Sequence, residues 1–257
     1  MLPPWALLLL ASLALLAALW WVSRRLTVHI LTLILLLTRN DEIAQILYAI
    51  LILPGTVMHE LSHWLAARLV GVRTGKISLL PQVTRDKGLR LGAVDVRGGA
   101  LWQHTLIGLA PLVVGSLLTA ALALRLVAVE EVRLATQAGT WQGATALLHR
   151  ILATPDLAIW LYLLFTISDA MFLSASDRAP VQRMLLYFGG LLLILYLLGG
   201  LPTGSGGGGA WLHGLLQAYA YGLGITLLLH LSLLLLFGSL SWLATRLLKL
   251  PTRTAGR

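Results

Sequence analysis

Cysteine is missing altogether from these 257 residues. That excludes disulfides, iron–sulfur clusters and thiolate zinc sites, and leaves any metal to His, Asp and Glu. Charge is scarce as well. Asp, Glu, Lys and Arg make up 11% of the chain, against about 25% in an ordinary soluble domain. Acids are scarcest: 10 stand against 19 Lys and Arg, for a formal net charge of +9. In a soluble protein that balance would point to nucleic acid. Here the bases fall in loops between apolar runs, where the positive-inside bias of membrane proteins accounts for them, so no nucleic-acid partner is expected.

What fills the chain instead is apolar: 58% of residues are hydrophobic, and several runs reach the roughly 20 residues that span a bilayer as helix. The expectation is an all-α polytopic membrane protein with six to seven transmembrane helices, a lipid bilayer as its solvent, and a small membrane-surface β-hairpin. Leu2–Val22 reads as a span closed by Trp20-Trp21 and Arg24-Arg25, an interfacial anchor. Leu26–Thr38 is short for a span and reads as an interfacial or re-entrant helix. From Ile43 to about Val70 runs one helix, with a kink expected at Pro54 and a C-cap at Gly71. Ile77–Val83 and Leu89–Val96 read as the hairpin strands. Spans follow over about Leu106–Val129, Leu157–Ala175, Val181–Leu201 and within Trp211–Leu248, with one short amphipathic helix between Glu130 and Asp156. The chain thus divides into an N-terminal part, 1–42, a core, 43–180, and C-terminal spans with a basic tail, 181–257.

The core contains Leu53-Pro-Gly-Thr-Val-Met-His59-Glu60-Leu-Ser-His63, an H-E-x-x-H pattern in an apolar helix. Residues four apart share a helix face, so His59 and His63 are placed to grip one ion. Two neutral imidazoles suit Zn2+, and a catalytic zinc keeps one position open for water. Glu60 follows the first ligand, where a carboxylate serves as general base. Ionisable groups at membrane depth are expensive and usually functional, which raises the weight of the motif in this setting. A third ligand is needed. Trp64–Gly75 contains no His, Asp or Glu, so it must come from a distant helix, with Asp169, Asp177 and His230 as candidates. Asp169 could ligate, orient a ligating histidine, or pack helices. Asp177 could instead cap a helix or pair with Arg178.

Three segments resemble the site-two protease family of intramembrane zinc metalloproteases. They are Pro54-Gly-x-x-x-His59-Glu60-x-x-His63, the small-residue stretch Gly108-Leu-Ala-Pro111-Leu-Val-Val-Gly115, and Ser168-Asp169 through Asp177-Arg178. In the family an Asn precedes the ligand Asp by eight residues. Asp169 and Asp177 are eight apart, so the resemblance makes Asp177 the third ligand and puts Asp169 at the Asn position; carboxylates commonly orient metal-bound imidazoles, which favours that role for Asp169 over the alternative of ligand. It also implies proteolysis of a membrane-protein substrate in or beside its transmembrane segment, in a bacterial-type cell membrane, with the surface sheet holding substrate in extended form. The likeness covers roughly Ile43–Pro180. The departures are Asp-Arg for Asp-Gly, Asp for Asn, and the loss of the family's Pro-rich stretch. They keep open an alternative, a non-proteolytic subunit of a larger membrane complex.

Sidedness follows from charge. With the chain near Gly71 in the cytoplasm, the 72–99 stretch, the 177–183 turn and the C-terminal tail fall inside and carry six, two and four Lys and Arg. The two later outer loops carry Arg133 and Arg150. The metal site is therefore expected toward the cytoplasmic side.

Overall fold

The computed structural model describes residues 4–78, 82–83, 89–90, 92–127, 140–172, 174, 177, 182 and 207–248. These described residues are mostly helical. Its elements in chain order are α1 (Pro4–Thr38), α2 (Asp41–Leu51), α3 (Leu53–Leu69), β1 (Arg73–Ser78), β2 (Gln82–Val83), β3 (Leu89–Arg90), β4 (Ala93–Arg97), α4 (Leu101–Leu126), α5 (Thr140–Leu152), α6 (Leu157–Ala170) and α7 (Gly207–Leu247). Among the described residues α1, α4 and α7 are long and apolar enough to cross a membrane, and the number rises to five if the bent pairs α2–α3 and α5–α6 each count as one span. That is a membrane protein, with three to five candidate spans among the described residues; the expected six to seven are not confirmed. The expected span over 181–201, the residues joining the two hairpin strand pairs at 84–88, and Arg178 lie outside the described residues.

The N-terminal part departs from expectation. No break separates Val22 from Leu26; α1 runs unbroken for 35 residues. The Arg24-Arg25 pair is carried inside the helix because no Gly or Pro interrupts it there. Each guanidinium also lies over a tryptophan one turn earlier, Arg24 over Trp20 at 5.6 Å and Arg25 over Trp21 at 5.4 Å, a contact that spares a cation part of its desolvation. At about 1.5 Å per residue α1 is roughly 52 Å long. It packs along α7 in parallel: Leu19 shares a cluster with Leu223, Leu26 with Leu233 and Phe237, and His29 Nδ1 lies 2.7 Å from Ser241 Oγ.

The expected kink near Pro54 is sharp. α2 and α3 meet at 70° across Ile52. Pro54 sits in the first turn of α3, where its missing N–H costs nothing because helix-start N–H groups have no intrahelical partner. Asn40 caps α2, its side-chain oxygen accepting from the N–H of Glu42 at 2.9 Å and of Ile43 at 3.1 Å. Gly71 closes α3 as anticipated. Its φ is +74°, which a glycine adopts without steric cost. The Val72 N–H reaches back to Ala67 O at 2.8 Å and the Gly71 N–H to Arg68 O at 3.2 Å, the paired bonds of a Schellman cap. Val72 and Ala67 then bury together against Ile107.

The sheet expected after α3 is built from two short antiparallel ladders, β1 with β4 and β2 with β3. The outer ladder starts earlier than the sequence suggested, pairing Arg73 with Arg97 and Thr74 with Val96, and a bulge falls between Thr74 and Ile77. The Gln103 side chain ties the sheet's far end back to the helices. Its Oε1 accepts from the Ala100 N–H at 2.7 Å, and its Nε2 donates to Val70 O at 2.8 Å. The starts of α4 and the end of α3 are thereby fixed side by side.

Small residues let α3, α4, α6 and α7 approach closely. A Cβ on Gly55 would fall 1.9 Å from Thr166 O, one on Gly115 would fall 2.4 Å from Met171 Cβ, and one on Gly222 would fall 2.6 Å from Ala120 Cα. Small residues commonly serve this role where helices pack in lipid.

Candidate metal centre

His59 and His63 lie one turn apart on α3, and their Nε2 atoms are 3.1 Å apart. Asp177, beyond the end of α6, completes the group: its Oδ2 is 3.8 Å from His59 Nε2 and its Oδ1 is 3.5 Å from His63 Nε2. One ligand atom from each of the three lies within 4.8 Å of the others. Donors around a tetrahedral zinc at about 2.1 Å stand roughly 3.4 Å from one another, so the observed separations fit such an ion. Asp177 is the candidate the structure brings to the histidines. His230 and Asp169 are not in this group.

The orientation of both imidazoles comes from backbone carbonyls. His59 Nδ1 lies 2.7 Å from Ala170 O, and His63 Nδ1 lies 2.8 Å from Ile107 O. A carbonyl only accepts, so each Nδ1 carries a proton, and in the neutral ring each Nε2 then presents a lone pair. Two such lone pairs at 3.1 Å, beside a carboxylate, repel unless something positive joins them. Fixing the far nitrogen in this way is how proteins set the tautomer of metal-binding histidines.

Both carbonyls are available for an identifiable reason. Ala170 is the last residue of α6, and the last carbonyls of a helix have no intrahelical partner. Ile107 lies mid-helix in α4, but the residue four ahead is Pro111, which has no N–H to give it. Neither carbonyl could be named as a partner from the sequence alone, because both lie on helices far along the chain. The signal that pointed to one of them is the proline at i+4.

Asp177 is held in place by Ser174, whose backbone N–H and Oγ both meet Oδ2, at 3.0 and 2.5 Å. Burial pushes its carboxyl upward, but the adjacent imidazoles of His59 and His63 and the hydrogen bonds from Ser174 outweigh this and hold it well below the usual carboxylate range. It is therefore an anion at neutral pH, as a zinc ligand must be.

Glu60 is buried, 8% exposed, and its carboxylate lies against Gly92 at the start of β4. A Cβ added to Gly92 would come 2.6 Å from both Cγ and Oε1 of Glu60. The sheet therefore closes over the residue expected to act as general base, and Gly92 is the residue that leaves it room. Asp169 does not meet either histidine side chain. Its Oδ2 accepts from Tyr48 Oη at 2.8 Å and its Oδ1 accepts from the Ser23 hydroxyl. His230 is fully buried, with Nδ1 3.1 Å from Thr226 O and its ring tilted against Phe165.

No protein-family model matches the chain, and comparisons with curated proteins and with solved structures find no match to it either. The functional reading therefore rests on the residues and their geometry.

Proposed function

We propose that this protein is an intramembrane zinc metalloprotease that hydrolyses peptide bonds in or next to the transmembrane segments of other membrane proteins. The observation that carries the reading is the convergence of His59 Nε2, His63 Nε2 and an Asp177 carboxylate oxygen, with both Nδ1 atoms already committed to carbonyls. This donor set of two imidazoles and one carboxylate suits Zn2+ and leaves a fourth position for water. Zinc bound there would supply Lewis acidity and lower the pKa of a bound water to about 7. Glu60, next in sequence to His59, accepts the proton of the attacking water and returns it to the departing amine, so one carboxylate serves both halves of the hydrolysis. Burial of Glu60 under Gly92 keeps bulk water from competing for that proton. A helical substrate must unwind before its carbonyls are reachable. The expected placement toward the cytoplasmic side and in a bacterial-type membrane belongs to the same proposal.

The decisive experiment pairs Glu60→Gln with a metal assay on the purified full chain in detergent. Glu60→Gln should lower cleavage of an unfolded transmembrane peptide by about 10²- to 10⁴-fold, the usual worth of general acid–base catalysis, while one zinc per chain remains bound. Cleavage that survives the substitution ends the mechanism. Stoichiometric zinc in the unsubstituted chain with no turnover on any membrane substrate favours the accessory-subunit reading instead.

A further inference from the structure

The carboxylate of Asp169, in α6, is left unused by the proposed chemistry. It sits at the C-terminal turn of α6, immediately before the residue whose carbonyl takes the Nδ1 proton of His59. Its two oxygens are engaged by different helices: Ser23 of α1 on Oδ1 and Tyr48 of α2 on Oδ2 at 2.8 Å. The Tyr48 hydroxyl is in turn 3.0 Å from Thr27 Oγ1, which also lies 3.0 Å from Ser23 O. This closes a ring of polar groups across α1, α2 and α6.

We propose that Asp169 is a positioning residue for His59. It fixes the end of α6 to α1 and α2 and so holds the Ala170 carbonyl where it locks the His59 ring with Nε2 facing the ion. The proposal rests on the metal-centre reading for its consequence but not for its geometry. A helix end is the part of a helix most prone to fray, and α6 ends at the carbonyl that matters. On the other side of that end, Gly55 packs against Thr166 O and Ala170 Cβ, and the fully buried Met171 fills the space beside Gly115, Leu19 and Leu223. Packing thus holds α6 against α3, α4, α1 and α7, and at its C-terminal end the hydrogen bonds of Asp169 add polar ties to α1 and α2, about two turns beyond the Tyr162 Oη bond to Leu51 O at 2.9 Å and one turn beyond the packing of Phe165 against Tyr48. The N-terminal helix is by this route part of the site, although it contributes no ligand.

The test uses the full chain in detergent with two readouts. The first is zinc affinity measured by competition with a chromophoric chelator. The second is the ring-nitrogen NMR spectrum of histidine-labelled, metal-free protein, which reports the His59 tautomer without any metal. Asp169→Ala should weaken zinc binding about 10- to 100-fold, the range found for loss of groups that orient metal ligands, and should turn the single Nδ1–H tautomer of His59 into a mixture. Asp169→Asn, which keeps an acceptor for Tyr48, should restore most of both. Where Asp169→Ala fails to fold, Tyr48→Phe and Ser23→Ala each remove one donor and should shift both readouts in the same direction by less. Folded variants with unchanged affinity and an unchanged His59 spectrum overturn the proposal, whatever their melting temperature. A wild-type chain that binds no zinc overturns the protease reading, and the spectrum alone then decides the role of Asp169.

Discussion

A carbonyl oxygen has no proton to give, and this decides the tautomer of both histidines at the candidate centre. With Ala170 O and Ile107 O on the Nδ1 side, each Nε2 lone pair is turned toward Asp177, and a neutral ring needs no further adjustment before gripping a cation. Glu60 is governed by a different local constraint, the absence of a side chain at Gly92. Gly92→Ala would place a methyl group within 2.6 Å of the Glu60 carboxylate, nearer than Cβ atoms come to neighbouring heavy atoms, so Glu60 must move. Because the atoms nearest to the new methyl group belong to Glu60, metal binding should survive. The expected outcome is a loss of cleavage of about tenfold or more with unchanged zinc content, since displacement by about 1 Å is enough to cost 10²-fold in positioned catalysis. Cleavage at the wild-type rate would show that the sheet yields freely and that Gly92 leaves no imprint on the base.

At the scale of elements, α4 carries a proline in its interior, which ordinarily costs a helix about 3 kcal/mol. Here Pro111 leaves the Ile107 carbonyl without its helical donor and so lets it face His63. Pro111→Ala should therefore act in two opposite directions. The helix gains a donor and should melt at a higher temperature, while the new N–H competes for Ile107 O and zinc affinity should fall by about tenfold, the lower end of the range for loss of an orienting partner. Measuring thermal midpoint and zinc affinity on the same preparation separates the two effects, and a rise or fall of both together would refute the account. This element also shows what could be read from sequence. The histidine pair, the Gly71 cap, the bend near Pro54 and the amphipathic α5 follow from local periodicity and turn chemistry. The continuity of α1 does not, because Arg24-Arg25 has the composition of an interfacial stop, while the helix runs on through it with each guanidinium over a tryptophan one turn earlier. The carbonyl partners of the histidines were not legible for another reason: apart from the proline four residues after Ile107, nothing in the sequence marks these backbone oxygens, and only tertiary structure shows which ones face a ring.

For the whole molecule, the candidate centre joins segments far apart in the chain: α3 supplies two of the residues that could hold a metal, residue 177 the third, and α4 and α6 the carbonyls behind the histidines. The residues alone left Asp169, Asp177 and His230 as candidates, and only the family resemblance singled out Asp177; the geometry sets its oxygens against both imidazoles. A cation held there would tie α3 to the region following α6, so metal binding and folding should be linked. A ligand that binds only the folded state at a hundred times its Kd stabilises that state by about 2.7 kcal/mol. Removing zinc with a chelator should therefore lower the thermal midpoint of the purified protein, and restoring zinc should raise it again. Glu60→Gln should show the full zinc-dependent shift because it leaves all three ligands in place, whereas His63→Ala and Asp177→Ala should show little of it. This pattern separates a metal centre from an imidazolium–carboxylate cluster that holds the same side chains together with a proton. In the second case chelation leaves the midpoint where it was, and lowering the pH rather than adding zinc changes it.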